Sequence, residues 1–469
     1  MAPRNFATVF CLGVLVSCSF TTAGSFVECK NDVDCGTVAA CNKGYCLALP
    51  AGCRRELAGG KVEAFGQGDR IPIAALLPLT ENGAADNSEL QGLNAMRLAV
   101  SEVNDRNGLK NRSFGLFVCD TGRVDETTRT QAAWMIDNLQ VPAILTSGSG
   151  QTQTVAKLPT RLDAGTMIMS ATATSPSLIP TFQNEGNVWR VSPPDTLQAR
   201  ALANVIKADF PDAGGVLVDV VFEETDYGGG FGQPMADALL ALGFTTSRLP
   251  FKPNDANAQT MVITGLSNNP PRATVLIAFP SDVRELVTRA RSFPVLTRAG
   301  GHRWYLTDAT KDPAVLLGED GGSSVTMTEL DLAIGTAPAQ GAGGAFPAFR
   351  DSFRIRYGFD PNSFSYTSQS YDAMWLVMLA SASAQSGPGE LTGPKLGQGM
   401  TRLSAPGASI PLRLDKWTET SNILLQGLSI NAEGTSGPLD FDPRTGVPAA
   451  PYEVWQVSDG GIRVLRLTP

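Results

Sequence analysis

Two short apolar runs, each ending in small hydroxyl residues, constrain this chain more than any other feature. The stretch from Met167 to Pro176 reads Met-Ile-Met-Ser-Ala-Thr-Ala-Thr-Ser-Pro, and Val141 to Leu145 leads into Thr-Ser-Gly-Ser-Gly-Gln-Thr at 146–152. Each run is long enough for one buried strand. In open α/β sheets, ligands bind at the carboxyl ends of strands because backbone N–H groups and helix N-termini converge there. Hydroxyl clusters also form ordinary turns and caps, but this pair predicts a polar pocket that suits binding better than bond cleavage.

The rest of the chain alternates buried strands with amphipathic helices. Ile71 to Leu77 predicts a strand, and apolar residues at three- and four-residue spacing predict a helix from Ser88 to Asn104. The alternation restarts after Arg190-Val-Ser-Pro-Pro-Asp195, where two prolines exclude regular structure. Such alternation predicts parallel sheets with right-handed crossovers. Because 469 residues exceed one compact core, the sequence predicts an α/β protein with two lobes and accessory segments.

The amino terminus predicts export. A single basic residue, Arg4, precedes an apolar run from Phe6 to Val16 that is too short for a helix of about 20 residues spanning a bilayer. The sequence Leu15-Val16-Ser17-Cys18 resembles a bacterial lipobox, in which the cysteine is lipidated after cleavage. We therefore expect a signal peptide at 1–17 and a lipid anchor on Cys18 in the bacterial cell envelope, facing the periplasm or in the outer membrane. The alternative is an ordinary signal cleaved near Ala23.

The cysteine pattern also indicates export. Beyond Cys11 and Cys18, six cysteines remain. Five of them fall within 25 residues, namely Cys29, Cys35, Cys41, Cys46 and Cys53, and the sixth is Cys119. Their spacing does not match the paired C-x2-C pattern of a zinc site, so it predicts a disulfide-linked module with connectivity left open. Because five is odd, one cysteine must pair outside the module, and we expect Cys53 to pair with Cys119.

Composition and motifs argue against several function classes. A net charge of -8 disfavours nucleic acid as a partner, because phosphate binding needs clustered Lys and Arg. His302 is the only histidine, so the chain offers no His-rich metal site and one candidate catalytic base. Ser149 does not lie in a Gly-x-Ser-x-Gly elbow, and the adjacent Glu223 and Glu224 point to opposite faces of a strand. The sequence therefore predicts a protein that is not an enzyme and that uses no metal or cofactor.

The glycine-rich run from Tyr227 to Gly232 is the one candidate nucleotide loop. It is not a Gly-x-Gly-x-x-Gly sequence, and Glu223 to Asp226 separate it from the preceding strand. We expect a loop from Glu223 to Gly232, followed by a helix from Pro234 to Leu242. In a binding protein, these glycines would keep the backbone close to a cleft.

An ordered set of motifs resembles the type I periplasmic binding proteins of the leucine/isoleucine/valine-binding class. The set covers about Ile71 to Leu467. It comprises Ile71-Pro-Ile-Ala-Ala-Leu-Leu-Pro-Leu-Thr80, the Ser147 to Thr152 loop, Ser-Ala-Thr-Ala-Thr-Ser-Pro at 170–176, Trp189-Arg190, Asp226-Tyr227-Gly228, Tyr357-Gly358-Phe359-Asp360-Pro361, Tyr371-Asp372-Ala373 and Gly437-Pro438-Leu439-Asp440-Phe441-Asp442.

The resemblance implies two Rossmann-like lobes with parallel central sheets, joined by three crossover segments and preceded here by the Cys-rich module. It implies a ligand clamped between the lobes and delivered to an ABC importer. The expected domains are a signal peptide at 1–17, a lipidated Cys-rich segment at 18–56, a linker at 57–70, lobe 1 at 71–192 and 333–430, and lobe 2 at 193–332 and 431–469.

The resemblance also places ligand contacts. Ser149, Thr172 and Thr174 fall where the family meets the carboxylate of the ligand, and Tyr227 matches a tyrosine of the second lobe. Asp308 falls where an acidic residue pairs with the ligand's ammonium. Phe279 stands where many members have tyrosine, so one hydroxyl contact is missing.

The ligand and the physiological role remain open at this point. The loop from Thr80 to Glu89 is longer than usual and contains no aromatic residue, and the family's cysteine partner for Cys119 is absent near Gly148. We therefore expect an amino-acid-like small molecule, with an amide, a small carboxylate or an aromatic acid as alternatives. The alternative to transport is a ligand sensor of the same fold that signals to a membrane partner, and a third possibility is a scaffold without a ligand. In each case the membrane is reached only through the lipid.

Overall fold

The computed structural model describes residues 27–56, 70–81, 83–316 and 328–468. The predicted signal peptide, the lipidation site Cys18 and the predicted linker up to residue 69 lie outside these residues. Among the described helices, none combines the length and the apolar character that a membrane span requires.

Residues 27–56 form a small module attached to the first lobe. It contains a short 3-10 helix (Asp32–Cys35), a hairpin of β1 (Ala39–Asn42) and β2 (Tyr45–Ala48), and the strand β3 (Cys53–Arg55). Asp32 is buried, accepts a hydrogen bond from the backbone N–H of Cys41 at 2.7 Å and pairs with Arg70 at 2.9 Å. The module is therefore fastened to the lobe by polar contacts as well as by its strand.

The first lobe is a sheet with helices on both faces. Its further strands are β4 (Ile71–Leu77), β7 (Phe114–Asp120), β8 (Ala143–Thr146), β9 (Met167–Ser170) and β10 (Val188–Arg190), after a small hairpin of β5 (Thr80–Glu81) and β6 (Ala84–Ala85). Its helices before the first crossing are α1 (Asn87–Asn104), α2 (Asp125–Leu139), α3 (Ser149–Ala156), α4 (Pro159–Ala164) and α5 (Leu178–Phe182). In the described residues the strand order is β10-β9-β8-β4-β7-β3, parallel except for β3.

The second lobe has the same architecture. Its strands are β11 (Val218–Glu223), β12 (Arg248–Phe251), β13 (Ala273–Ile277), β14 (Arg303–Leu306), β15 (Ile334–Pro338), β20 (Tyr452–Ser458) and β21 (Gly461–Thr468). Its helices are α6 (Asp195–Asp209), α7 (Asp226–Ala241), α8 (Ala256–Asn268) and α9 (Pro280–Ala290). The described strands follow the order β12-β11-β13-β14-β15-β20-β21, and β20 alone among them runs antiparallel to its neighbours.

After β15 of the second lobe, the chain returns to the first lobe and adds further helices to it. They are α10 (Phe346–Tyr357), α11 (Thr367–Ala384), α12 (Gly393–Met400) and α13 (Trp417–Leu425), with the short strands β16 (Ser409–Pro411), β17 (Asn431–Glu433), β18 (Phe441–Asp442) and β19 (Val447–Pro448). Each sheet separates two apolar clusters. Ile73 and Ala75 of β4 enter one, Ala74 and Leu76 enter the other, because successive strand residues point to opposite faces. The predicted α/β class with two lobes is confirmed.

The chain crosses between the lobes near residues 191–194, 339–345 and 449–451. These positions differ from the domain boundaries expected from the sequence. Ile334–Pro338 pairs with β14 and β20 in the second sheet, although the sequence assigned 333–430 to lobe 1. Residues 431–448 pack on lobe 1, where Phe441 meets Trp189 at a ring-centroid distance of 5.7 Å. Strands of two to five residues that contain Gly or Pro carry too little periodicity to be assigned to a sheet from sequence.

A buried carboxylate holds the segment before the third crossing. Asp372 of α11 accepts hydrogen bonds from the N–H and hydroxyl groups of Thr435 and Ser436 at 2.6–2.9 Å. Burial raises the pKa of Asp372 to about 6, and these hydrogen bonds act in the opposite direction. The Tyr371-Asp372-Ala373 motif thus has a structural role, because it ties the returning chain to the central helix of lobe 1.

The glycine-rich stretch that was expected to be a loop is helical. Helix α7 begins at Asp226, and the Thr225 hydroxyl caps it by accepting the N–H of Gly228 at 3.0 Å. A Cβ atom on Gly228 would lie 2.2 Å from the carbonyl oxygen of Glu223, so the tight passage from β11 into α7 needs glycine. Pro234 lies inside this helix rather than at its start.

Helix α7 also touches the first lobe. A Cβ atom on Gly230 would lie 2.2 Å from the hydroxyl oxygen of Ser175, in the loop after β9. Nearby, the Nε2 atom of Gln153 in α3 donates to Asp226 at 3.1 Å. The two lobes are therefore in direct contact, and the absence of a side chain at residue 230 permits that contact.

The disulfides join each described cysteine to another. The pairs are Cys29–Cys41, Cys35–Cys46 and Cys53–Cys119. The last pair confirms the expected link from the module to the core. It lies where β3 adds to the sheet, with Cys53 directly opposite Cys119 on β7.

Replacing both Cys53 and Cys119 by Ala should destabilise the protein. The bond closes a separation of 66 residues, for which loop entropy predicts a loss of up to about 4 kcal/mol in the free energy of unfolding. Urea denaturation measures this loss, and hydrogen exchange at the amides of Arg55 and Glu56 should accelerate. Cys29→Ala with Cys41→Ala is the control, because it leaves β3 linked to β7. An unchanged urea midpoint after removal of Cys53–Cys119 would contradict the prediction.

Gly230→Ala should keep the two lobes apart. The added methyl carbon would lie 2.2 Å from the hydroxyl oxygen of Ser175 and 3.1 Å from its Cβ atom. Carbon atoms need roughly 3.5–4.0 Å, so the closed arrangement stays strained even after the hydroxyl rotates away, and open arrangements gain population. Spin labels on the exposed residues Leu162 and Leu240 would report a longer distance by double electron–electron resonance. Gly229→Ala is the matched control, because nothing lies within 4 Å of its Cβ position. Equal distance distributions in both variants would show that residue 230 does not limit the approach.

Candidate functional site

A cleft lies between the lobes, at the carboxyl ends of both parallel sheets. Its cavity volume is about 60 Å³. Loops at the ends of β7, β8 and β9 form one wall, and the loops after β13 and β14, together with the start of α7, form the other. The lining residues are Asp86, Ser88, Glu89, Arg123, Gly148, Ser149, Thr172, Tyr227, Phe279, Pro280, Asp308, Ala309, Asp312, Ser365 and Tyr366.

Ser149, Thr172, Tyr227, Phe279 and Asp308, five of the six residues predicted to contact a ligand, line this cleft. The sixth, Thr174, does not line it. It is fully buried, and its carbonyl oxygen accepts the N–H of Asp195 at 3.0 Å. Thr174 therefore lies below the cleft floor.

The hydroxyl-rich loops form the lobe 1 wall. Ser149, the first residue of α3, accepts a hydrogen bond from the N–H of Ser175 at 3.1 Å. The hydroxyl oxygen of Thr172 accepts the N–H of Gly148 at 2.5 Å and lies 2.9 Å from the hydroxyl of Ser147. The loops after β8 and β9 thus hold each other in place by hydrogen bonds between small side chains.

Asp308 is the central acceptor of the lobe 2 wall. It begins a short 3-10 helix directly after β14. Its Oδ1 atom accepts hydrogen bonds from the hydroxyl of Tyr227 at 2.8 Å and from the amide of Gln198 at 2.9 Å, and its Oδ2 atom accepts one from the hydroxyl of Tyr366. A carboxylate offers about four acceptor positions. Three side chains and the backbone N–H of Asp308 itself supply donors here, and the carboxylate that they stabilise lines the cleft.

Tyr366 was not predicted from the sequence. It precedes α11 with a φ of 66°, in the left-handed region that residues other than glycine adopt rarely. Next to it, the Ser365 hydroxyl donates to the carbonyl oxygen of Asp308 at 2.7 Å. Neither residue follows a strand, so the rule that locates ligands at strand ends could not find them. The unusual backbone is stabilised by these contacts with the second lobe.

Two carboxyl groups below the cleft share one buried region. Burial raises the pKa of Asp308, and it raises the pKa of Asp195 well above its ordinary value, with the charge of Asp308 as a further cause. The hydroxyl of Thr174 and the charge of Arg190 act on the pKa of Asp195 in the opposite direction. Arg190, also buried, donates to the carbonyl oxygens of Ala173 and Ser175 at 3.3 and 2.8 Å. The floor of the cleft therefore carries two carboxyl groups beside one guanidinium, and a cation above it would favour the ionised form of those carboxyl groups.

Arg123 is the basic residue among the residues that line the cleft, and sequence analysis missed it. Its guanidinium pairs with Asp86 at 2.8 Å and lies 4.0 Å from the ring centroid of Phe279 in the other lobe. Phe279 in turn packs on Tyr227 at a centroid distance of 5.7 Å. Arg123 stands three residues after β7 ends at Asp120, so the strand-end rule applied to this loop would have identified it.

Glu89 is the second missed residue of the lobe 1 wall. It lies in the first turn of α1, where Asp86 caps the helix by accepting the N–H of Glu89 at 3.0 Å. Its Oε1 atom accepts a hydrogen bond from the Ser147 hydroxyl at 2.6 Å. Burial, followed by the charge of Asp86, raises the pKa of Glu89 to about 7. An acidic residue in a first turn is typical of a solvated helix end, which is why the sequence alone gave no sign of a site.

Contacts across the cleft hold the lobes in a closed arrangement. The hydroxyl of Ser88 in lobe 1 donates to Asp312 in lobe 2 at 3.0 Å, at the side opposite to the contact between Gln153 and Asp226. Arg123 over Phe279 bridges the mouth. A ligand in the cleft would therefore contact both lobes.

Groups that could serve other chemistry lie away from the cleft. The sulfur atoms of Cys29, Cys35 and Cys46 are close together, but all belong to disulfides and cannot ligate a metal. His302 stands at the amino end of β14, where its Nδ1 atom lies 3.1 Å from the carbonyl oxygen of Pro271. Burial lowers the pKa of His302 to about 4.

Solved structures of bacterial binding proteins share this fold. A leucine-binding protein of Thermotoga maritima is 18% identical, with a TM-score of 0.66 over 85% of this chain and 98% of its own. A branched-chain amino acid binding protein of Streptococcus pneumoniae, in complex with isoleucine, is 14% identical, with a TM-score of 0.66 over 85% and 99%. A fatty acid ABC transporter binding protein of Thermomonospora curvata is 18% identical, with a TM-score of 0.65 over 85% and 92%.

Sequence comparison adds one family. No curated protein sequence matches the chain. The model of the receptor family ligand binding region matches residues 91–460, which are 370 of the 469 residues. This match includes β7 to β10 of the first sheet, the second sheet except β21, the crossings and most of the residues that line the cleft. The chain therefore belongs to the receptor ligand-binding region family.

Proposed function

We propose that this protein is an extracytoplasmic solute-binding lipoprotein. It captures an amino-acid-like small molecule between its two lobes and delivers it to an ABC importer. The observation that carries the proposal is Asp308, a carboxylate that lines the base of an interlobe cleft and is held by Tyr227, Gln198 and Tyr366. It faces hydroxyl-bearing loops across the cleft.

The chemistry of the cleft suits a ligand with an ammonium group. A buried carboxylate with hydrogen-bonded support binds a cation more strongly than an exposed one, because water screens it less. The aromatic rings of Tyr227, Phe279 and Tyr366 supply apolar surface beside it. The hydroxyl of Ser149 and the loop around Thr172 offer polar contacts to the other end of the ligand.

Delivery would depend on closure of the lobes. A ligand that contacts both walls stabilises the closed form, and a membrane partner that recognises that form then receives the solute. The contacts of Gly230 with Ser175 and of Ser88 with Asp312 exist only when the lobes meet. The hydrogen bond from Ser88 to Asp312 therefore favours closure of the lobes, and the close approach of Gly230 to Ser175 limits it.

The comparisons support the class of function and leave the ligand open. The similar structures include proteins described as binding leucine, isoleucine and fatty acid. One fold thus accepts chemically different solutes, and the side chains of the cleft select among them. For this chain those side chains favour an ammonium-bearing solute over a fatty acid.

A ligand sensor that signals to a membrane partner is the second candidate. The matched family is described as a receptor ligand-binding region, and the disulfide-linked module adds a rigid surface to lobe 1. Uptake of the ligand into cells distinguishes the two. Loss of uptake on deletion of the binding protein supports transport, whereas unchanged uptake supports sensing.

Asp308→Asn should weaken binding of an ammonium-bearing solute by about tenfold to a hundredfold. The variant removes one charge-assisted hydrogen bond of about 1.5–3 kcal/mol and keeps the volume of the side chain. Thermal-shift screening of the mature chain against amino acids, amides, amines and carboxylates identifies a ligand, and titration calorimetry then compares the affinities. A ligand at 100 times its dissociation constant should add about 2.7 kcal/mol of stability.

The control for this substitution is Asp237→Asn, on the exposed side of α7. It should leave the affinity unchanged. Equal affinity of wild type and Asp308→Asn for the identified solute would remove the role assigned to Asp308. No shift with any compound of the screen would count against solute binding itself.

Cys18→Ala should release the protein from the membrane. The lipobox places the lipid on Cys18, and the described residues contain no helix that could span a bilayer. Metabolic labelling with a fatty acid and fractionation of the envelope measure the change. Cys11→Ala is the control, because Cys11 lies within the predicted signal peptide. Membrane retention of the Cys18→Ala variant would contradict the lipid anchor.

A further inference from the structure

We propose that Glu89 supplies a carboxylate from the protein itself at the hydroxyl-rich loops, so that the cleft selects an ammonium-bearing ligand without a free carboxylate. The ligand class is then a primary amine or an amino-acid amide rather than a zwitterionic amino acid. This inference rests on the proposed solute-binding function and specifies its ligand.

The hydrogen bonds of the loops run toward Glu89. The N–H of Gly148 donates to the hydroxyl oxygen of Thr172 at 2.5 Å, and that hydroxyl lies 2.9 Å from the hydroxyl of Ser147. The Ser147 hydroxyl donates to Glu89 at 2.6 Å. A hydroxyl has a single hydrogen, so Thr172 is left to donate to Ser147. The N–H of Gly148 and the hydroxyls of Thr172 and Ser147 therefore all donate within the protein, in a series of hydrogen bonds that ends at the carboxylate of Glu89.

Few donors remain for the carboxylate of a ligand. The hydroxyl oxygen of Ser149 accepts a hydrogen bond from the N–H of Ser175, so the hydroxyl hydrogen of Ser149 remains available to a ligand. The guanidinium of Arg123 is paired with Asp86 at 2.8 Å, lies 3.7 Å from Glu81 and is stacked on Phe279. The positive charge of Arg123 is thus balanced by protein carboxylates before any ligand arrives.

The remaining charges of the cleft are acidic. Glu89 and Asp308 lie on opposite walls, and Asp312, held by Ser88, lies between the lobes at the cleft edge. A ligand carboxylate would enter a region where these groups repel it, whereas an ammonium would neutralise them. Burial and the charge of Asp86 raise the pKa of Glu89, although the guanidinium of Arg123 acts in the opposite direction.

Paired probes test this inference. Leucinamide and isopentylamine carry the ammonium without a carboxylate, and leucine carries both, with side chains of similar size. Calorimetry on the mature wild-type chain should give at least tenfold tighter binding of the amide or the amine than of leucine. Glu89→Gln should reduce that preference at least tenfold. Glu126→Gln, an exposed carboxylate in the first turn of α2, is the matched control and should not change it.

A second measurement uses the wild type and does not depend on folding of the variant. Isopentylamine stays protonated below pH 9, so its affinity reports the charge of the protein. The charged groups that face Glu89 are Asp86 and Arg123 from its own wall, with Asp308 and Asp312 across the cleft. Ionisation of Glu89 near pH 7 should raise the affinity by about tenfold from pH 6 to pH 8, and affinity for leucine should not rise with it.

The outcomes separate this inference from the proposed function. Leucine binding as tightly as leucinamide, with no effect of Glu89→Gln, overturns the role of Glu89 and leaves solute binding intact. A flat pH profile for isopentylamine also overturns it. Absence of binding by all three probes and by the wider screen overturns the proposed function, and the inference fails with it.

Discussion

The buried carboxylate of Asp308 is the interaction on which the cleft depends. It joins segments that are distant in sequence: Gln198 from α6, Tyr227 from α7 and Tyr366 from the chain that re-enters the first lobe. A carboxylate in this position is costly to bury, and it is retained only because hydrogen-bond donors replace water. Those donors fix the angle at which α7 leaves β11 and the point at which α11 begins. The walls of the cleft are therefore positioned by the group that also faces the ligand space, and any change at Asp308 acts on structure and binding together.

Electrostatic imbalance follows from the same arrangement. The charge of Asp308 helps to raise the pKa of its buried neighbour Asp195, and Glu223, whose pKa burial raises to about 8, accepts the N–H of Phe279 at 2.6 Å. Acidic groups thus surround the floor and the lobe 2 wall, while the guanidinium of Arg123 is already paired. A protein can tolerate such a cluster when the groups share protons or when a cation enters. The closed form of this protein is consequently the form in which a cationic ligand gains most, since closure removes water from between the acidic walls.

Sequence reasoning found the parts of the molecule that follow from local chemistry. The α/β class followed from the alternation of strands and helices, and the Cys53–Cys119 bond from the odd number of cysteines in the module. The five cleft residues were placed by the resemblance to a family, in agreement with the rule that ligands bind at the carboxyl ends of parallel strands. Tyr366 and Ser365 were not, since their position depends on how the third part of the chain folds back onto the second lobe. Glu89 was hidden by its place in an ordinary helix turn. The lobe boundaries were misplaced for a related reason. The lobe to which β15 and residues 431–448 belong is decided by contacts with residues far away in sequence, and short irregular strands do not indicate those contacts.

The distinction between scaffold and selectivity explains why the fold alone could not name a ligand. Backbone geometry delivers the loops after β8 and β9 to the same place in every protein with this topology, but the donors on those loops can be directed outward to a solute or inward to the protein. Here the series of hydrogen bonds from Gly148 through Thr172 and Ser147 ends on Glu89, so these donors are directed to the protein and not to a solute. The side chain of Glu89 on α1 thereby makes the loops after β8 and β9 acidic, although the strands keep their positions. Selectivity for a ligand in such a cleft depends on whether each hydroxyl hydrogen is free to donate to the ligand or already donates to the protein. That depends on side chains that the sequence pattern of the strands does not reveal.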